Sequence, residues 1–209
     1  MERFVIAFLL LGLLASAAAV EGRVVPSVFE DDQPSKRSGD RVLIGVDLFH
    51  QACGLVHFKT MCQSLTKLPG VTTPRQVLLA SMRVAAAKAM EAKARVDEYA
   101  ARTHVTGPMV SIVDGCRKGY EDVATSLEET RKRIEAQGTQ LVDLNNQVSG
   151  ALTHTDDCQN GFDDFEMASP FAAVQKNVFR LVDNVLNIAV EVQKAEAKQN
   201  PVGHGPHVH

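Results

Sequence analysis

Four cysteines, Cys53, Cys62, Cys116 and Cys158, are the residues of this 209-residue chain whose type and spacing most directly promise chemistry. That chemistry is oxidation to disulfides. Cys53 and Cys62 lie close together ahead of a long helical region, and Cys116 and Cys158 lie about equally far on either side of Gly138. If two antiparallel helices meet at that glycine, the second pair stands level, within the roughly 7 Å between Cα atoms that a bridge tolerates. Four cysteines allow three pairings and the sequence alone does not choose, although this geometry favours the near pair and the level pair. None has the Cys-x-x-Cys spacing of a zinc or redox site.

Carboxylates flank the second pair. Glu121 and Asp122 follow Cys116, while Asp156, Asp157, Asp163 and Asp164 surround Cys158. A bridge between those cysteines would bring the two groups together on one side of a helix pair. Close carboxylates repel, so one of them is expected to hold a proton at mildly acid pH. Glu121, Asp122, Asp156 and Asp157 are therefore candidates for a partner-facing acidic patch, with binding to a basic protein that depends on pH and salt. The plainer reading of the same residues is ordinary solubility.

Arrangements for catalysis are missing. The chain has no Gly-x-Ser-x-Gly elbow, no His-Glu-x-x-His and no phosphate-cradling glycine loop, so no enzyme activity and no cofactor are expected. His50, His57, His104 and His154 are scattered and read as surface or packing histidines. His204, His207 and His209 could hold a divalent metal loosely, but a frayed, solvated tail over 201–209 is the expectation. Arg131, Lys132 and Arg133 read as a wetted helix face. Glu91 with Arg95 and Glu98 with Arg102 read as i,i+4 pairs worth only tenths of a kcal/mol each.

The elements that must position these groups are helices. Val42 to Leu68 carries the first cysteine pair, and the short loop between them suits a small helical hairpin turning near Gly54 to Phe58. Thr73-Pro74-Arg75-Gln76 then opens a long helix: threonine caps, proline suits the first position, and glutamine completes a capping box. Its apolar line is Leu78, Met82, Ala85, Ala89, Ala92, Val96 and Tyr99. Pro108 opens a second, with Val113, Cys116, Tyr120, Val123, Leu127, Thr130 and Ile134 in the same rhythm up to Gly138. A third begins near Thr139 and carries Leu141, Leu144, Val148, Ala151 and Leu152. Ser169-Pro170 opens a fourth, lined by Val174, Val178, Leu181, Val185, Ile188 and Val192 and stopped by Pro201. Four stripes of this period on briefly connected helices predict an all-α fold, an antiparallel four-helix bundle (72–200) with an N-terminal helical hairpin (42–70). On the chain-entropy model a Cys116–Cys158 bridge would contribute about 4 kcal/mol and a Cys53–Cys62 bridge about 3 kcal/mol.

The first stretch speaks to compartment. Met1-Glu2-Arg3 precedes an apolar run from Phe4 to Leu14, and Ala15-Ser16-Ala17-Ala18-Ala19 supplies small residues for cleavage after Ala19. The run is far short of the ~20 residues that span a bilayer, so residues 1–19 read as a secretion signal. Residues 20–41 lack periodicity and read as a flexible lead-in. A secreted chain with an even cysteine count favours disulfides over thiols. The net charge of −3 argues against nucleic acid, which needs a clustered basic surface. No Asn-x-Ser/Thr sequon is present.

Two stretches resemble the plant invertase and pectin methylesterase inhibitor family. Asp114-Gly115-Cys116-Arg117-Lys118-Gly119-Tyr120-Glu121-Asp122-Val123, followed by Leu127, is similar to that family's Cys-x3-Tyr-x-Asp-Ala-x3-Leu signature, with valine for alanine. Val148-Ser149-Gly150-Ala151-Leu152-Thr153 and Cys158-Gln159-Asn160-Gly161-Phe162 resemble its Ser-Ala-Ala-Leu-Thr run and its Cys-x-x-Gly-Phe step. The resemblance covers the chain from about residue 45. It departs where Val56, His57 and Phe58 stand in place of a threonine and a tyrosine-proline step, and where Asp157 replaces the threonine before the fourth cysteine.

The resemblance implies the bundle with its hairpin and the pairing 53–62 and 116–158. It implies a secreted, apoplastic inhibitor, monomeric until it covers the substrate cleft of a cell-wall enzyme in a one-to-one complex. Invertase inhibitors often carry Pro-Lys-Phe in the third bundle helix; the matching place here is Leu141-Val142-Asp143, which tilts the expected partner to pectin methylesterase. Ser169-Pro170-Phe171 resembles the start of the last helix in some invertase inhibitors, so acid invertase is the alternative partner. A secreted ligand- or metal-binding bundle without inhibition is the alternative of another class. Members also occur as leading segments of pectin methylesterases; this chain is expected to be a free-standing module.

Overall fold

The computed structural model describes residues 42–137 and 144–199. The expected signal, the lead-in, Gly138, the third helix's expected start at Thr139 and Leu141, and the tail lie outside the described residues. Six helices fill the rest: α1 (Val42–Cys53), α2 (Lys59–Thr66), α3 (Pro74–Thr103), α4 (Pro108–Gln137), α5 (Leu144–Asp163) and α6 (Ala172–Gln199). Among the described residues there is no strand. No helix there is long and apolar enough to cross a membrane.

α3 starts where its capping residues dictate. The Thr73 hydroxyl accepts from the Gln76 N–H at 3.2 Å, and Gln76 Oε1 accepts from the Thr73 N–H at 3.1 Å. This reciprocal pair satisfies two donors that a helix start leaves open. At the other end His104 adopts a left-handed conformation (φ 45°) that stops the helix.

Each long helix packs on two others: α3 on α4 and α6, and α5 on α4 and α6. The four therefore form a ring in which the α4–α5 and α3–α6 seams lie opposite one another. Their direction alternates. Arg75 at the start of α3 grips Glu196 near the end of α6 through two hydrogen bonds of 2.8 and 2.7 Å, while Tyr99 near the end of α3 meets Phe171 just before α6.

The stripes read from the sequence face this interior. Leu78, Met82, Val96, Val113, Tyr120, Leu127, Val148, Val178 and Ile188 are all buried, whereas Tyr99, Leu152 and Val174 at the margins are only half-buried. Thr130, a polar member of its stripe, satisfies its hydroxyl by donating to the Ser126 carbonyl oxygen at 2.7 Å. Burial pushes the Tyr120 phenol up to about 12.

Two expectations need correction. The fourth bundle helix starts at Ala172, not at Pro170. Ser169 uses its hydroxyl to accept from the Phe171 N–H at 3.1 Å, a local turn that holds Pro170 and Phe171 outside the helix. Glu91 also does not pair with Arg95; Lys88, one turn earlier, takes it at 2.8 Å.

The hairpin of α1 and α2 packs on α3 and α6. Its own Leu48, Ala52 and Val56 are buried, and the Cys53–Cys62 bridge (Cα–Cα 5.7 Å) closes its turn.

Candidate functional site

The candidate site lies on the α4–α5 seam. Cys116 and Cys158 are bridged with their Cα atoms 4.1 Å apart, and both are buried. Glycine makes so short a separation tolerable. A Cβ on Gly119, one turn after Cys116, would stand 2.9 Å from the His154 carbonyl oxygen and 3.4 Å from the Asp157 Cβ. A Cβ on Gly161, one turn after Cys158, would touch Ile112 at 3.4 Å. Glycines on both helices thus let two backbones come together where the cross-link holds them.

This approach carries carboxylates across the seam. Lys118 stands among them. Its ammonium donates to Asp122 one turn along α4, and its pKa is raised first by that hydrogen bond and then by the charges of Asp122, Asp157 and Glu121. Of the four acidic residues singled out in the sequence, Lys118 thus touches Asp122 and feels the charges of Asp157 and Glu121. Asp157 is also reached by His154, whose Nδ1 lies 3.3 Å from Asp157 Oδ2.

Asp156 stands apart. It makes no hydrogen bond or ion pair among the described residues, and its pKa is raised first by loss of hydration and then by the charge of Asp157. The expected repulsion between neighbouring carboxylates acts on Asp156 through Asp157, second to the loss of hydration. The carboxyl that holds its proton upward is Asp156, and lost hydration is the main cause. Lys118 was legible beforehand as an i,i+4 partner of Asp122. The arrival of Asp157 from another helix was not.

Asp163, also near Cys158, is occupied locally, accepting from Gln159 Nε2 at 2.7 Å. On the neighbouring α3–α4 seam, Asp97 binds both Arg117 and Lys93. The Arg117 hydrogen bond is the main reason that the Asp97 pKa is lowered.

A second constellation had no sequence signal. His57 at the hairpin tip places Nδ1 2.9 Å from Asp183 Oδ2 on α6, across 126 residues. Asn187 donates to the same Asp183 oxygen at 3.2 Å. Beside it the Arg180 guanidinium lies 5.4 Å from the centroid of the Phe58 ring. His57 and Phe58, where the chain departs from the family pattern, thus fasten the hairpin to the bundle. Among the described residues no three His, Cys, Asp or Glu side chains come together as a metal-binding set.

No curated protein matches the chain. A family model described as plant invertase/pectin methylesterase inhibitor matches residues 47–188. That match takes in the hairpin turn, both disulfides and most of the four-helix bundle, so the protein belongs to the plant invertase/pectin methylesterase inhibitor family.

Proposed function

We propose that this protein is a secreted inhibitor of pectin methylesterase, acting as a one-to-one complex in which a face of the bundle covers the enzyme's substrate cleft. The family is one of proteinaceous inhibitors of pectin methylesterase or invertase rather than of enzymes. The single observation that carries the reading is the family match over 47–188. The α4–α5 seam suits the task physically. A cross-linked, glycine-packed face has little order left to gain on binding, which lowers the entropic cost of association.

On this reading Glu121, Asp122, Asp156 and Asp157 face the partner, with Lys118 bound to Asp122 among them. Pectin methylesterase is favoured over acid invertase because residues 141–143 are Leu-Val-Asp and not Pro-Lys-Phe. Acid invertase is the second reading, favoured by Ser169-Pro170-Phe171 ahead of α6. The mechanism needs no cofactor, since occlusion requires only complementary shape and charge. Residues 1–19 would direct export and 20–41 would link to the hairpin.

The test is a paired titration of purified protein into pectin methylesterase and acid invertase assays. Activity of the first should fall to an end point at one inhibitor per enzyme, with invertase unaffected. The combined Asp122→Asn and Asp157→Asn protein should bind at least about tenfold more weakly at low salt. Loss of invertase activity alone would move the target to the second reading. Unchanged binding by the double variant would remove these carboxylates from the interface.

A further inference from the structure

The α3–α6 seam, opposite the carboxylates, is closed by the hairpin over part of its length and open over the rest. The hairpin tip ends on Arg180 and Asp183 of α6. Beyond it lies a groove of about 510 Å³ between the last turns of α3 and the start of α6, joined to a hollow of about 230 Å³. Arg95 and Val174 line both, so they stand where the two meet.

Among the described residues three cations line this open stretch, and they differ. Lys88 is tied to Glu91 at 2.8 Å and Arg102 to Glu98 at 2.5 Å. Arg95 has neither hydrogen bond nor ion pair among the described residues, because Lys88 has taken the carboxylate that sequence spacing would have given it. The lining is mixed: Glu91 and Glu98, each held by its own cation, and Asn177 and Thr103 share it with apolar side chains. Ala92 and Val174 form the wall beside Arg95, and at the larger end the Tyr99 ring stands edge-on to Phe171, centroids 5.2 Å apart and planes at 82°.

We infer that this groove is a binding site for a small aromatic carboxylate, its carboxylate on Arg95 and its flat body on the Val174 wall towards Tyr99. A guanidinium matches a carboxylate through two parallel hydrogen bonds, stronger than neutral ones. Aromatic edges and branched aliphatic walls accept a flat ring. The volume suits a small organic molecule, and with Lys88 and Arg102 neutralised by Glu91 and Glu98 the one uncompensated charge among the described lining residues is Arg95, set beside Ala92, Val174 and Tyr99. An inorganic anion would gain nothing from the walls, and an uncharged aromatic would gain nothing from Arg95. Because the groove is across the bundle from the α4–α5 seam, the site does not depend on the inhibitory reading.

The experiment is calorimetric titration of the full chain with 4-hydroxycinnamate, its methyl ester and inorganic phosphate. Saturable binding of the acid, at least about tenfold tighter than the ester or phosphate, is expected. Arg95→Gln should remove that advantage, while Lys132→Gln on the exposed face of α4 should keep it. Arg95 is exposed and has no partner to lose, so the variant should keep the parent unfolding temperature, measured alongside. Binding of the ester or of phosphate as tight as the acid, undiminished binding by the Arg95 variant, or no saturable binding at millimolar acid would each overturn the assignment.

Discussion

Gly119 on α4 lies so close to His154 on α5 that a Cβ on the glycine would stand 2.9 Å from the His154 carbonyl oxygen. Neither a rotamer change nor a side-chain shift relieves a contact with backbone, so the helices themselves must part. Gly119→Ala should lower stability by about 1–3 kcal/mol, the usual cost of overpacking. Gly115, one turn earlier on the same helix, has nothing within 4 Å of its would-be Cβ. Gly115→Ala should therefore stabilise by up to about 1 kcal/mol through helix propensity. Urea unfolding of the two variants beside the parent measures both; equal effects would show that the seam is looser than described.

Lys118 donates to Asp122 and feels the charges of Asp157 and Glu121, so Lys118→Gln should leave the acidic patch without its cation. Inhibition by that variant should weaken at neutral pH and recover as the carboxylates gain protons in acid. Residual inhibition measured from acid to neutral pH reads this directly. A pH profile parallel to the parent's would show that the lysine has no part in presenting the patch.

Asp156 gives a pH dependence of the opposite kind from a paired carboxylate. Its folded-state pKa is raised above the unfolded value of about 3.8, so the native protein holds this proton to higher pH than the unfolded chain. Stability from this group is present below that value and lost as pH rises through the raised one. Asp156→Asn keeps the neutral form throughout. It should match the parent in acid and be more stable at neutral pH, as thermal unfolding at the two pH values would report.

Asp97 runs the other way. Hydrogen bonds from Arg117 and Lys93 lower its pKa below 3.8, so its contribution is present above that value and lost as pH falls through the lowered one. Asp97→Asn should cost about 0.5 kcal/mol at neutral pH, the pair being half-exposed and screened. The difference should vanish in strong acid. A deficit that persists there would mean that the substitution disturbs packing and not charge.

The Arg75–Glu196 pair joins the first turn of α3 to the last turns of α6 with both side chains mostly shielded. Glu196→Gln should lower stability by about 1 kcal/mol while leaving enzyme inhibition unchanged. Chemical denaturation beside the inhibition assay separates the two effects.

What the sequence by itself determined was the set of elements and their inward faces. Thr73, Pro74 and Gln76 placed the start of α3 because capping is a contact among neighbours in the chain. The stripes on α3, α4, α5 and α6 named the core because helical periodicity decides which residues share a face. The level position of Cys116 and Cys158 favoured their pairing because two antiparallel rods run at equal rise from a common turn. The signature residues around those cysteines carried the family.

Only the tertiary structure decided the distances across seams. Asp157 reaches the neighbourhood of Lys118 because Gly119 has no side chain to hold α5 away, a fact about two helices and not one. His57 finds Asp183 only after the hairpin folds back on α6. Even on a single helix, Glu91 could turn to Lys88 or to Arg95, and spacing permits both. Rotamers and neighbours in the folded chain gave it to Lys88 and left Arg95 facing the groove.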